Sequence, residues 1–144
     1  MAISAARSLL FNRLLELRVT AGTWNTLQPG ELASLNGSGS FFAIDEPDQS
    51  LHDRCATLDI HPTAVLWGKG AQRDDTRSEA EQTVAQEFPD LAAGLEQHAD
   101  ESRRALRLAV QDFRWSLDND VLWLEFFLTR GGFATAVLRE IAAY

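Results

Sequence analysis

Residues 130–144 read RGGFATAVLREIAAY, a lone aromatic on a glycine pair where an amphipathic helix begins. Gly131 and Gly132 allow the backbone to turn sharply and to approach a neighbour closely. Phe133 then stands beside free helix N–H groups, a position that suits a polar or anionic ligand. The chemistry this offers is recognition: an aromatic face for a flat ring, with backbone donors at its side. The same residues also suit core packing, with the glycines as a plain strand-to-helix joint. Taken alone, the stretch favours packing.

The basic residues form a second candidate set. They number thirteen, twelve Arg and the single Lys69. Arginine's planar fork suits fixed, bidentate contacts to phosphate or carboxylate. Arg103, Arg104 and Arg107 cluster in SRRALR, and Arg7, Arg13 and Arg18 lie near the N-terminus. Against 21 acidic residues and a net charge of −8, salt bridging inside the fold is the stronger reading. The same balance disfavours non-specific nucleic-acid binding by the whole surface.

Other sets fall short. His52, Cys55 and His61 offer three metal-binding side chains where a structural zinc site takes four, so no metal is expected. Gly68-Lys69-Gly70 lacks the length and the Ser/Thr of a phosphate-binding loop. Asp74, Asp75, Glu79 and Glu81 read as a solvated helix start whose acids complement the dipole. No Ser/His/Asp set has a recognisable spacing.

The elements that must position these residues follow from composition and period. With 45% hydrophobic residues, four Trp and eight Phe, the chain can bury a core as one domain, or one domain and a piece of another. Cys55 is the lone cysteine, which excludes an internal disulfide and fits a reducing cytoplasm. The apolar runs are too short to span a bilayer. The Arg- and Ser-bearing N-terminus has the look of a transit peptide. Its Ala6, Leu10, Leu14 and Leu17 stripe instead predicts a structural helix over residues 4–19, with Ser4 as N-cap and Gly22 past its end.

Residues 23–44, broken at Pro29-Gly30 and Gly37-Ser38-Gly39, predict small β-elements and tight turns. Residues 51–58 read as helix and His61-Pro62-Thr63 as a turn. Residues 76–99 are helical, with Ala80, Val84, Phe88, Leu91 and Leu95 on one stripe and Pro89 interrupting. Phe113, Trp115 and Leu117 then alternate, Asp118-Asn119-Asp120 turns, and residues 121–129 run apolar on nearly both faces. That is a β-hairpin whose second strand calls for cover on both sides, and few other strong strands are in view to supply it. The class is α+β.

Five phrases carry a resemblance: ISAARSLLFNRLLELR, LNGSGSFF, RCATLDIHPTAVLWGKG, SRRALRLAVQDFRWSL and FFLTRGGFATAVLREI. In this order they resemble the TruD family of tRNA pseudouridine synthases, from Ile3 to Ile141. The chain departs from the family pattern at Ala64-Val65, where Gly-Pro is usual. It departs again at Thr129, where Pro is usual, and at Gly131-Gly132, where Gly-Ser is usual; it resembles a divergent member. Family enzymes isomerise a D-arm uridine of tRNA with an aspartate nucleophile in a Gly-x-Lys-Asp motif, upstream of the part resembled here. That motif, a functional lysine and an Asn-x-Phe motif are not in this sequence, so no catalytic residue is expected in the chain. Asp74 in AQRD imitates the nucleophile only superficially.

The resemblance implies a helix-rich insertion domain with small β-elements over residues 1–104. Residues 105–144 would be a C-terminal hairpin and helix from the catalytic domain. It makes Phe133 the aromatic that faces the flipped uracil. Gly132, Arg139, Arg7, Arg103 and Arg104 become candidate substrate-binding residues, with tRNA as partner, no cofactor, no membrane and a cytoplasmic setting. Self-association through the hairpin is a further expectation. The alternative is a truncated, non-catalytic relative that binds RNA or a protein.

Overall fold

The computed structural model describes residues 3–70 and 77–142. The chain divides into two compact units, one ending at Arg107 and one beginning at Leu108. The element order is α1 (Ile3–Thr20), β1 (Glu31–Leu35), β2 (Phe41–Ile44), α2 (Gln49–Ala56), β3 (Ile60–Leu66), α3 (Glu79–Glu87), α4 (Pro89–His98), β4 (Ser102–Ala105), β5 (Val110–Asp118), β6 (Val121–Leu128) and α5 (Ala134–Ile141). The class is α+β, as the sequence predicts.

In the first unit, α1 buries Ala6, Leu10 and Leu14 of the stripe read from the sequence, with Leu17 partly buried, and adds Phe11 beside them. The helix is already running at Ile3, so Ser4 lies inside it and is not its cap. Its end is closed by Gly22 at φ +69°, with Gly22 N–H donating to Val19 O and Thr23 N–H to Arg18 O. This is a Schellman closure, for which the left-handed glycine is the natural residue.

The sheet runs β2-β1-β3-β4, every pairing antiparallel. Two of its strands depart from expectation. The turn expected at His61-Pro62-Thr63 is the buried middle of β3. Pro62 is tolerated there because β4 has ended beside it: Pro62 O accepts from Leu106 N–H, beyond the last β4 pair, Thr63 with Ala105. A strand residue's nitrogen lies on the same side as its carbonyl, so the missing donor falls where the ladder has already stopped. The second departure is β4 itself, an edge strand made from Ser102, Arg103, Arg104 and Ala105.

The helical stretch after residue 77 splits as Pro89 dictates, for Pro89 opens α4 at a position whose N–H would be unpaired anyway. Ser78 and Glu81 close a capping box on α3. Glu79 is exposed in the first turn, but Glu81 is buried, which corrects the expectation of a fully solvated acidic start. Asp74 and Asp75 lie outside the described residues. One core gathers Leu10, Leu14, Val65, Trp67, Val84 and Leu95; a second gathers Leu27, Ala33, Ile44, Cys55 and Ile60.

The second unit is a hairpin and a helix. Asn119 and Asp120 sit at φ +46° and +66°, the two left-handed positions of a two-residue hairpin turn. A register shift between Gln111 and Arg114, with Asp112 at φ +50°, bulges β5. Phe113 and Phe126 stack at 6.0 Å. Trp115, Leu117, Trp123 and Phe127 are each more than 60% exposed, and none of the described residues of α5 is buried. Among the described residues the hairpin forms a two-stranded sheet of its own.

The first unit's weight rests on Glu81. Its carboxylate accepts from Val65 N–H (2.8 Å), Ser78 N–H (2.9 Å) and the Arg103 guanidinium (2.7 Å), with both side chains 6% exposed or less. Arg103→Met leaves that carboxylate buried and without its counter-charge, and should lower the unfolding free energy by about 3–5 kcal/mol. Denaturant titration measures it. A loss under about 1 kcal/mol would mean that the two backbone donors satisfy Glu81 by themselves.

Candidate nucleic-acid interface

The loop between β6 and α5 is built from Thr129 to Phe133. Gly132 N–H donates back to Thr129 O at 2.9 Å, closing a turn whose third residue, Gly131, has φ +92°. A side-chain-bearing residue is strained there, so Gly131 answers a backbone demand. Gly132 answers a spatial one. A Cβ at this position would stand 2.7 Å from Leu108 Cδ1, 3.2 Å from Thr129 O and 3.3 Å from Leu128 Cβ. Close approach within the unit therefore accounts for the second glycine.

Phe133 follows as the N-cap of α5, with extended backbone (φ −108°, ψ 122°) and no side-chain cap bond. Helix caps favour Ser, Thr, Asp and Asn, whose oxygens satisfy free N–H groups; phenylalanine satisfies none. Nor does it pack, being 74% exposed. Within the described residues neither capping nor burial explains why an aromatic stands here. Arg139, exposed in the last turn of α5, complements the carbonyl end of the helix. Six residues separate it from Phe133, about 240° around a helix of 100° per residue, so the two do not share a face.

The candidate arginines of the first unit part company. The Arg7 guanidinium donates to Leu66 O and Asp100 O (each 3.0 Å) and to Ser102 Oγ (2.7 Å), pinning α1 to the ends of β3 and β4. Arg103 donates to Thr63 Oγ1 (2.9 Å) and to Glu81. Burial alternates along β4, so the neighbouring Arg104 is exposed, its guanidinium 5.3 Å from the Phe11 ring. Of the three, Arg104 presents its charge to solvent.

Two further arginines are organised in ways that sequence reasoning missed. Arg107 Nε–H donates to His61 Nδ1 (2.9 Å), and its terminal nitrogen to Ile60 O (2.8 Å). Arg77 lies 3.8 Å over the Trp67 ring and pairs with Glu101 (2.6 Å) and Glu96 (3.2 Å). The Arg-rich composition was the available signal; partners 10 to 47 positions away were not readable from it.

The other sequence candidates are used internally. His61 faces Arg107 through one ring nitrogen and Asn36 Oδ1 (3.1 Å) through the other, Cys55 Sγ is buried with Asn25 O at 3.5 Å, and His52 is exposed. Gly68 would put a Cβ 2.6 Å from Ala99 O, and Lys69 bridges Asp100. The Gly-Lys-Gly run thus lets two backbone segments meet.

Comparison with known proteins bears on the whole arrangement. Residues 1–141 match the family model described as tRNA pseudouridine synthase D (TruD). A tRNA pseudouridine synthase D of Psychrobacter arcticus is 47% identical over 150 residues, which cover 98% of this chain and 37% of that protein. One from Nitrosococcus oceani is 42% identical over 145 residues, covering 98% and 40%. A crystal structure of a TruD protein from Methanosarcina mazei shares the fold, with a TM-score of 0.69 at 23% identity over 93% of this chain and 36% of that one. The chain thus spans about two-fifths of the length of the curated relatives it matches.

His61 gives a pH test of the first unit. Burial, and next the Arg107 charge, hold its pKa below the ordinary 6.5. The Arg107 N–H donates to Nδ1, so the bound form is neutral with its proton on Nε2, toward Asn36. The unfolded chain therefore takes up a proton near pH 6.5 that the folded chain refuses until lower pH. This contribution is complete above 6.5 and is lost as pH falls from there through the folded value. The thermal midpoint should drop between pH 7.5 and 5.5, and His61→Phe, less stable at pH 7.5, should flatten the slope. An unchanged slope in that variant would remove His61 from the account.

Proposed function

This chain belongs to the tRNA pseudouridine synthase D (TruD) family, and from that membership we propose that it forms the C-terminal part of an enzyme converting a D-arm uridine of tRNA, of the uridine-13 type, to pseudouridine. One observation carries the proposal: Phe133 is held in the open, at a helix cap that gains nothing from it. The reaction must take the base out of its stack, break the N-glycosidic bond, turn the uracil and rejoin the sugar through carbon. An aromatic face suits this because it holds a ring by stacking, worth roughly 1–3 kcal/mol, without fixing its orientation.

The chain's organisation supports the same reading. The division at Arg107 and Leu108 fits an insertion domain over residues 1–104 followed by a catalytic-domain segment over 105–144. A hairpin without a third strand fits a sheet whose other strands belong to the rest of such an enzyme. Arg104 is the arginine offered to tRNA phosphate, while Arg7 and Arg103 hold β4 in place beneath it. Gly132 enters the candidate uridine-binding segment through the turn that carries Phe133, whereas Arg139, on another face of α5, is not brought to it. The sequence has no Gly-x-Lys-Asp motif, so the nucleophile comes from outside it, with no metal or organic cofactor in the chemistry. The setting is the cytoplasm; no helix among the described residues is long and apolar enough to cross a membrane.

The test pairs two preparations. The purified chain alone should form no pseudouridine in tRNA, since covalent catalysis cannot proceed without its nucleophile. In an enzyme of the relatives' full length carrying this chain, Phe133→Ala should lower turnover by about 5- to 150-fold, the rate equivalent of one stacked base. Its thermal midpoint should hardly move. A large fall in the midpoint with a proportionate loss of activity would make Phe133 a packing residue.

The bare hairpin has its own consequence for the isolated chain. Each large apolar side chain left in water forgoes roughly 1.5–3 kcal/mol relative to burial, and both strand edges are unpaired among the described residues. Self-association through residues 113–129 relieves both costs. Sedimentation should find a dimer or larger species, and Phe126→Lys should shift it toward monomer or unfolding. A stable monomer at high concentration would contradict this.

A further inference from the structure

The Gly132 contact points to a residue that no sequence motif singled out. Leu108 opens the second unit, half-buried, two residues before β5. Its Cδ1 lies where a Cβ at position 132 would come within 2.7 Å. Leu108 therefore sits directly beneath the turn that precedes Phe133. The other sides of that turn are set by Thr129 O and Leu128 Cβ, at 3.2 and 3.3 Å from the same point, and Val110 pairs with Leu128 to hold the two chain segments in register. Only the Leu108 methyl belongs to a flexible side-chain end; the Thr129 and Leu128 atoms are fixed by the backbone.

We propose that Leu108 is a positioning residue for Phe133. Its side chain is the floor on which the Gly131-Gly132 turn rests, and so it fixes the height and direction at which the exposed ring leaves the loop. The claim rests on the reading of Phe133 as the surface that faces the uracil. An exposed side chain with no packing partner can hold a ligand in one place only if its backbone is fixed from below. Small misplacements at such a point are costly: a shift of about 1 Å can reduce a rate by about 100-fold. A methyl at 132 requires Leu108 to rotate away or the turn to lift, and a smaller side chain at 108 leaves the turn unsupported.

The experiment is a mutant cycle in an enzyme of the relatives' full length carrying this chain, read as kcat and KM for tRNA. Gly132→Ala and Leu108→Ala should each lower kcat by about tenfold, a fraction of that limit, with KM for tRNA nearly unchanged. The pair together should recover part of the loss, because the smaller side chain makes room for the added methyl. In a Phe133→Ala background, both substitutions should leave kcat where Phe133→Ala alone puts it. Leu108→Val, which removes Cδ1 with less loss of volume, serves if Leu108→Ala does not fold. If Phe133→Ala itself leaves kcat intact, the reading of Phe133 fails. If Phe133→Ala lowers kcat but the effects at 108 and 132 simply multiply with it, that reading stands and the positioning role of Leu108 is overturned.

Discussion

The Glu81–Arg103 pair is the constraint around which the first unit is arranged. One carboxylate caps α3, fills an open donor on β3 and neutralises an arginine on the edge strand β4. Removing two charges from water costs several kcal/mol per ion, so the arrangement survives only because nearly every polar atom involved is answered. A second buried pair closes the end of α1. There the Arg18 fork donates to Glu31 and to the carbonyls of Thr23 and Thr26, joining the helix end to β1. These pairs explain an acidic protein with almost no lysine. A rigid fork can serve several fixed acceptors at once, which a single ammonium cannot do as well.

That use of arginine limits what the sequence could disclose. The α1 stripe, the Gly22 stop, the Pro89 break and the Asn119-Asp120 turn are local, each decided within a few residues, and each is legible. β3 and β4 are not. Pro62 argues for a turn unless one knows that its nitrogen faces the spent end of β4, and Ser-Arg-Arg-Ala has little strand propensity of its own. Glu81 reads as solvated because the arginine that buries it lies 22 positions away. At the candidate site, the aromatic on its glycine pair is visible in the sequence, whereas its exposure is not. Hydrophobic residues are expected inside, and only the fold shows one left out.

The two units answer the problem of apolar surface differently. The first closes its cores with helices packed on the sheet. The second leaves Trp115, Leu117, Trp123 and Phe127 open on two strands. A two-stranded hairpin is marginal in water without a third strand or a covering helix. The register sharpens the point: Trp115 faces Leu124 and Leu117 faces Leu122, while Ser116 faces Trp123 and Arg114 faces Glu125. One face is thus continuously apolar and the other mixed, the pattern of a strand pair whose apolar face is meant to be covered. A chain that spans about two-fifths of its relatives' length accords with that pattern.

The last loop, where the sequence is expected to depart from the family pattern, has a geometric reading at each position. The turn needs a carbonyl from position 129, and Thr129 supplies one as a proline would, since Gly132 N–H reaches the oxygen and nothing in that bond uses the nitrogen of residue 129. Position 132 is different. A serine there would bring its Cβ against the Leu108 methyl, so the glycine found at 132 and the leucine found at 108 are two halves of one fit. Gly131 is bound by its positive φ and has no such freedom. The two glycines thus answer different demands of one loop, Gly131 a backbone conformation and Gly132 a shortage of space.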